Sequence, residues 1–308
     1  MYTEVIYESS SLYRDSFQIR GYVFGKGKKS VCIVGNLRGN EYQQLYTCSC
    51  IIQKLKKLEQ EKLLNPGYEI LVIPSANPYS INIQKRFWPI DNTDINRMFP
   101  GYVEGETTQR IAGGIFDRLK DYEYGIQLAS YYMPGEFMPH INIMKTGFDY
   151  VEKAKKFGMP YVVLRNPRPY DTTTLNYNWQ IWNTMAFSLY TTSTTRINQE
   201  SAARGVQSIL NFLAGEGIIR HSYCEDHASQ VIDDEMMLSL RAPQAGLFEP
   251  FVHVEQEVIK GQLLAKIYNP LDGEEQGAIY APGNGIVFFM HDEPLTYEHT
   301  AVIKMIPA

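Results

Sequence analysis

Val31-Cys-Ile-Val-Gly35-Asn-Leu-Arg-Gly-Asn-Glu41 passes from a continuous apolar run, through a glycine and a polar turn, into the start of a helix. A short apolar run closed by glycine reads as a buried strand. From Glu41 to about Leu64, the residues Leu45, Ile51, Ile52, Leu55 and Leu58 recur roughly every three or four positions, the spacing of one helix face. Asn65-Pro66-Gly67 stops that helix, and Ile70-Leu-Val-Ile73, closed by Pro74, is the next strand. The alternation continues downstream. Helices are expected over Glu106 to Leu119, Phe148 to Phe157 and Arg196 to Leu213, and strands over Gly125 to Ala129, Tyr161 to Leu164 and Met185 to Tyr190. Strands alternating with helices predict an α/β layer architecture with a largely parallel sheet.

The pattern changes after about Asp234. From Arg241 onward, short runs of Val, Ile and Phe are broken repeatedly by Pro and Gly, and no helix-length period appears, so a small all-β unit is expected. Val258 to Ile267 and Ala281 to Ile286 resemble the hairpins of biotinyl/lipoyl-like barrels. Such carriers modify a lysine in a Met-Lys turn, and none lies between these hairpins, so the unit reads as an unmodified accessory barrel. The expected domains are residues 1–234 (α/β) and 235–308 (β-barrel-like).

The chain has 308 residues, a net charge of -5 and a pI near 5.8, with no block of like charge. A nucleic-acid partner would require a clustered basic surface, so none is expected. No apolar run approaches the roughly 18 to 20 residues that span a bilayer. Met1 to Ser10 lacks a basic segment followed by an apolar one, so no secretory signal is expected. Cys32, Cys48, Cys50 and Cys224 are spaced for neither a zinc ribbon nor a disulfide framework. Free thiols in a reducing cytoplasm are the expectation. His221, Cys224 and His227 stand at three-residue steps, which is weak support for a small metal site in a polar linker.

The chemistry-bearing residues cluster early. A zinc hydrolase often carries one ligand just past a strand and a second on the first helical turn, three residues apart. Here those positions hold Arg38 and Glu41. Glu41 can bind a cation, whereas the Arg38 guanidinium stays protonated and has no lone pair to offer. The long stretch from Pro74 to Gly101 has the length of a functional loop. It carries Asn77-Pro78, Lys85-Arg86 and Asp94-Ile-Asn-Arg-Met-Phe-Pro-Gly101. Asn96 and Arg97 side by side suit a carboxylate, and Arg86 suits polarisation of a carbonyl.

In order and spacing these segments resemble the succinylglutamate desuccinylase/aspartoacylase family, deacylases of the zinc carboxypeptidase fold. The family pattern runs Gly-x-His-Gly-x-Glu, Asn-Pro, Arg, Asp-Leu-Asn-Arg-x-Phe-Pro-Gly, Asp-Leu-His, a late Glu and a terminal β-barrel. The resemblance extends from about Val31 to Ala308 and implies a mostly parallel mixed sheet flanked by helices. It places the first zinc histidine on Arg38, the zinc glutamate on Glu41, the second zinc histidine on Ala129 and the general base on Tyr190. Gln127 stands where the family has Asp. The substrate-orienting positions fall on Arg86, Asn96 and Arg97, and all three match.

One of three protein ligands for zinc therefore remains, Glu41, and no cofactor is expected. Arg38 is expected to neutralise Glu41 and, with Arg97, to leave an electropositive pocket. The leading expectation is a member that has lost zinc and general base and binds a small carboxylate-bearing ligand, an N-acyl amino acid or peptide-like molecule, without efficient hydrolysis. One alternative is an active metal-dependent amide hydrolase with a rearranged site, using Glu41 with His140, Asp91 or Glu200. Another is a homo-oligomer or a structural partner of an intact paralogue. Tyr170 to Tyr177 is a candidate pocket wall or lid, or equally a surface loop.

Overall fold

The computed structural model describes residues 1–10, 15–148, 150–220 and 229–308. The strands of the first part are β1 (Tyr2–Ser9), β2 (Phe17–Gly25), β3 (Gly27–Asn36), β4 (Gly67–Ser75), β5 (Tyr124–Ala129), β6 (Glu136–Phe137), β7 (His140–Met144), β8 (Tyr161–Arg165), β9 (Met185–Tyr190) and β10 (Gln230–Asp233). The helices are α1 (Tyr42–Gln60), α2 (Pro78–Asn82), α3 (Thr107–Leu119), α4 (Val151–Lys155), α5 (Leu175–Ile181) and α6 (Gln199–Gly215).

A nine-stranded sheet runs in the order β1-β2-β4-β3-β5-β9-β7-β8-β10. Its centre is parallel, β4-β3-β5-β9, and β7 enters antiparallel to β9 while pairing in parallel with β8. The parallel strands are apolar on both faces because both are covered. On one face Ile33, Ile126 and Leu189 pack with Ile51 and Leu55 of α1 and Ile209 and Phe212 of α6. On the other, Val34, Ile73 and Ala186 pack with Ile111 and Ile115 of α3 and Trp179 of α5. The expected strands and helices form, with ends shifted by a few residues. The strands β1, β2, β6, β7 and β10 and the short helices α2 and α5 were not anticipated.

Segments 131–138 and 192–194 group with residues 232–308 as a second compact unit. Its strands are β11 (Leu238–Arg241), β12 (Gly246–Pro250), β13 (Glu257–Val258), β14 (Leu263–Tyr268), β15 (Glu275–Tyr280), β16 (Gly285–Met290), β17 (Leu295–Thr296) and β18 (Ala301–Pro307). They form two antiparallel sheets, β11-β18-β16-β13 with β6 on β16, and β15-β14-β12-β17. Phe248, Leu264, Ile267, Val287, Val302 and Ile303 fill the core of this unit. Among the described residues, no helix is long and apolar enough to cross a membrane.

Candidate functional site

The turn between β3 and α1 is pinned from several sides. Asn36 Nδ2 donates to the carbonyl of Arg38 at 2.6 Å, and Ser75 Oγ donates to Asn36 Oδ1 at 2.8 Å. Gly39 has no room for a side chain: a Cβ there would lie 2.2 Å from the Lys85 carbonyl oxygen. Its amide donates to the Arg86 carbonyl at 3.0 Å, so the absence of a side chain lets the Arg86 loop lie against the turn.

Glu41 immediately precedes α1, and its carboxylate folds back into the turn. Oε2 accepts the backbone amides of Leu37 and Arg38 at 2.8 and 3.0 Å. Oε1 accepts Arg38 Nη1 at 3.1 Å and Ser130 Oγ at 2.5 Å. Asp94, before the short 3-10 turn Ile95–Arg97, supplies the second acidic partner. Its Oδ2 accepts Arg38 Nε and Nη2 at 3.0 and 2.9 Å, while Oδ1 accepts the Asn96 amide at 3.0 Å. Arg38 is only 5 % exposed. Burial acts against its charge, but Glu41 and Asp94 outweigh burial and hold its pKa above the usual arginine value. A buried charge is tolerated when it is paired and hydrogen-bonded on all sides.

The other expected site residues are placed as follows. Ala129 ends β5 and is in register with Tyr190 of β9, which is in register with His140 of β7. The Tyr190 and His140 rings stack face to face with centroids 4.6 Å apart. Burial pushes the Tyr190 phenol above its usual pKa, so it stays protonated at neutral pH and does not accept a proton from water. Asn96 Oδ1 accepts the amide of Leu175, the first residue of α5, at 3.1 Å. Its Nδ2 makes no hydrogen bond among the described residues. Arg97 Nη1 donates to the Tyr170 carbonyl at 2.5 Å and lies 3.8 Å from Asp171 Oδ1. Tyr170 to Tyr177 thus overlaps the 3-10 turn Pro169–Asp171 that holds Arg97, and takes in the start of α5.

Arg86 differs from the other two arginines. It is half-buried and has no ion pair among the described residues. Burial, and then the like charge of Arg38, lower its pKa. This corrects the expectation of a pocket made electropositive by Arg38 and Arg97. Arg38 is held by two carboxylates and Arg97 by a carbonyl and a more distant carboxylate, whereas Arg86 has no ion pair among the described residues and feels Glu41 and Asp94 only at longer range. Of the residues suggested for a rearranged site, Asp91 and Glu200 do not join Glu41. Asp91 Oδ1 accepts the Thr93 amide at 2.9 Å on an exposed loop, and the Glu200 side chain, 79 % exposed, pairs with Arg204 at 3.0 Å. His221, Cys224 and His227 lie outside the described residues.

Asp94 and Ser130 are the contributors that sequence reasoning missed. Asp94 stood within the run that carried the resemblance, but at 56 positions from Arg38 nothing local signalled its contact. Ser130 follows Ala129 and had no signal of its own.

Residues 27–215 match the succinylglutamate desuccinylase/aspartoacylase catalytic domain. The chain belongs to this family. It is 24% identical over 258 residues, 80% of this chain and 72% of the relative, to N-alpha-acetyl-L-2,4-diaminobutyric acid deacetylase of Halomonas elongata. Among solved structures, a succinylglutamate desuccinylase from Silicibacter superposes with a TM-score of 0.80 at 20% identity, covering 94% of this chain and 88% of that one. A succinylglutamate desuccinylase/aspartoacylase from Rhodobacter sphaeroides gives 0.79 at 21%, covering 98% and 95%. The product-bound ectoine utilization protein EutE of Ruegeria pomeroyi gives 0.77 at 20%, covering 96% and 92%.

Family membership raises the question of zinc, and the donor set here does not fit the ion. A catalytic zinc takes three protein ligands and a water. Both oxygens of Glu41 are already hydrogen-bonded, Arg38 has no lone pair, and Ala129 has no side-chain donor atom. Among the described residues, no group of three or more His, Cys, Asp or Glu side chains is placed to hold a metal.

Proposed function

We propose that this member of a deacylase family binds a small carboxylate-bearing ligand, an N-acyl amino acid or a peptide-like molecule, without efficient hydrolysis. The observation that carries this reading is the Arg38 guanidinium bridging Glu41 and Asp94, which puts an internal cation between the carboxylates. Without zinc at this turn, no bound water is brought towards neutral pKa, and Tyr190 is not a base. The means of gripping an anion remain. Among the described residues Arg86 has no ion pair, leaving a guanidinium that recognises a carboxylate with two parallel donors, and Asn96 Nδ2 makes no hydrogen bond. A reducing, cytoplasmic setting suits the free thiols of Cys32, Cys48 and Cys50.

The test is a panel of Nα-acetyl amino acids, assayed for deacetylation with and without added Zn²⁺ and for binding by calorimetry. Binding with no zinc-dependent turnover is expected. Zinc-stimulated turnover that disappears in Glu41→Ala would overturn the reading.

A further inference from the structure

On β5, β9 and β7, one step along from the Ala129-Tyr190-His140 row, Gln127 is in register with Ser188, and Ser188 with Asn142. Registered partners share a sheet face, so two amides and a hydroxyl stand side by side. The alternate positions Ile126, Leu128, Phe187, Leu189, Ile141 and Ile143 belong to the apolar core on the opposite face.

A third amide joins from above. Asn176 of α5 donates from Nδ2 to Ser188 Oγ at 2.9 Å, while its Oδ1 is buried with no partner. Whichever way that amide is turned, one of its polar atoms is unsatisfied. Gln127 and Asn142 are 5 % and 6 % exposed, and neither side chain makes a hydrogen bond among the described residues.

Folding alone does not account for this row. One step further along the same face, Gly125 and Ala186 lie under α5, with the Trp179 ring so close that a Cβ on Gly125 would meet it at 2.7 Å. Apolar residues thus cover this face where only packing matters. Asn176 Oδ1 is a buried acceptor without a partner, and such an atom is costly and is kept where something else completes it.

We propose that Gln127, Asn142, Ser188 and Asn176 form a specificity subsite for an uncharged polar group at the second end of the ligand, such as a carboxamide or ureido group. The inference rests on the reading above, in which the ligand's carboxylate goes to Arg86. The row offers donors and acceptors together and no charge. The row itself holds no cation for a carboxylate, and Arg165, on the same face of β8, is already paired with Asp171 at 2.7 Å. A hydrocarbon leaves the amides unpaired. A carboxamide both donates and accepts, so it satisfies them.

Calorimetry on the full chain with Nα-acetyl-L-glutamine, Nα-acetyl-L-glutamate and Nα-acetyl-L-norvaline tests this. The glutamine derivative binds at least about tenfold tighter than either of the others, the gain from one or two well-made hydrogen bonds. Gln127→Leu abolishes that preference, bringing the affinity for the glutamine derivative down to that for the norvaline derivative. Asn142→Leu is the second variant, used with Gln127→Leu, each checked for a cooperative thermal transition. Equal binding of the three derivatives, weakened alike by Arg86→Gln, overturns the subsite and leaves the carboxylate reading standing. Preference for the glutamate derivative also overturns the subsite. No binding of any of the three overturns both.

Discussion

Arg38 Nη1 lies 3.1 Å from Glu41 Oε1, three residues along the chain, with both side chains almost wholly buried. The same guanidinium holds Asp94, so two carboxylates from distant parts of the sequence share one cation. Arg38 is the cation in direct contact with both.

Arg38→Ala therefore leaves two buried carboxylates without a counter-charge. Removing one partner of a buried ion pair costs about 3–5 kcal/mol. Urea unfolding at neutral pH should show a loss in that range, much larger than for an exposed i,i+3 pair, which is worth a few tenths of a kcal/mol. A loss below about 0.5 kcal/mol would mean that the bridge is not formed in solution.

Replacing Arg38 and Ala129 together by histidine tests the assignment of the metal positions. With Glu41 released from the guanidinium, two imidazoles and a carboxylate make a three-ligand set of the catalytic type. Metal analysis after dialysis should find about one zinc per chain in Arg38→His/Ala129→His and none in Arg38→His alone, a ratio set by the ligand count. Zinc in neither variant would count against Ala129 as the second position.

Asn96 has a structural task alongside any contact with ligand. Its Oδ1 accepts the Leu175 amide, which as the first residue of α5 has no partner within the helix. Asn96→Ala should lower stability by about 1–2 kcal/mol, measured by denaturant unfolding, because a buried donor is left unsatisfied. Asn96→Asp, which keeps an acceptor oxygen, should lose less.

The strand-helix alternation was legible because apolar period alone fixes it, and the family because the Asp94 to Gly101 run is long and specific. What the sequence did not show was connectivity in space. Arg38 and Asp94 are separated by 56 positions, so nothing local reveals their contact. The β1-β2 hairpin escaped because Thr3, Glu4 and Glu8 dilute its apolar pattern at an exposed sheet edge. The Gln127 row escaped because its members become neighbours only through the register of β5, β9 and β7.

Glu216, after α6, makes acid stability measurable. Burial acts to raise its pKa, but hydrogen bonds from Lys153 and Tyr124 and the ion pair with Lys156 prevail and hold the carboxyl below its usual value. A carboxyl depressed in the folded state contributes stability above its unfolded pKa, and that contribution is lost as pH falls through the folded value. In Glu216→Gln, the drop in unfolding free energy between neutral pH and about pH 3 should be smaller than in the parent chain. An unchanged pH profile would contradict the cluster.

Arg86 separates binding from stability most cleanly. Arg38 and Arg97 are both held by acidic or carbonyl partners, and their loss disturbs the fold. Arg86 is half-buried, repelled by Arg38 and without an ion pair among the described residues, so folding gains little from its charge. Arg86→Gln should leave unfolding free energy within about 0.5 kcal/mol of the parent. Hydrogen bonds from a charged donor to a carboxylate are stronger than neutral ones, so affinity for Nα-acetyl amino acids should fall about ten- to hundredfold. The corresponding Nα-acetyl amino amides, which lack the carboxylate, should bind the parent and the variant alike. Equal loss for acids and amides would place the carboxylate away from Arg86 and transfer its recognition to Arg97.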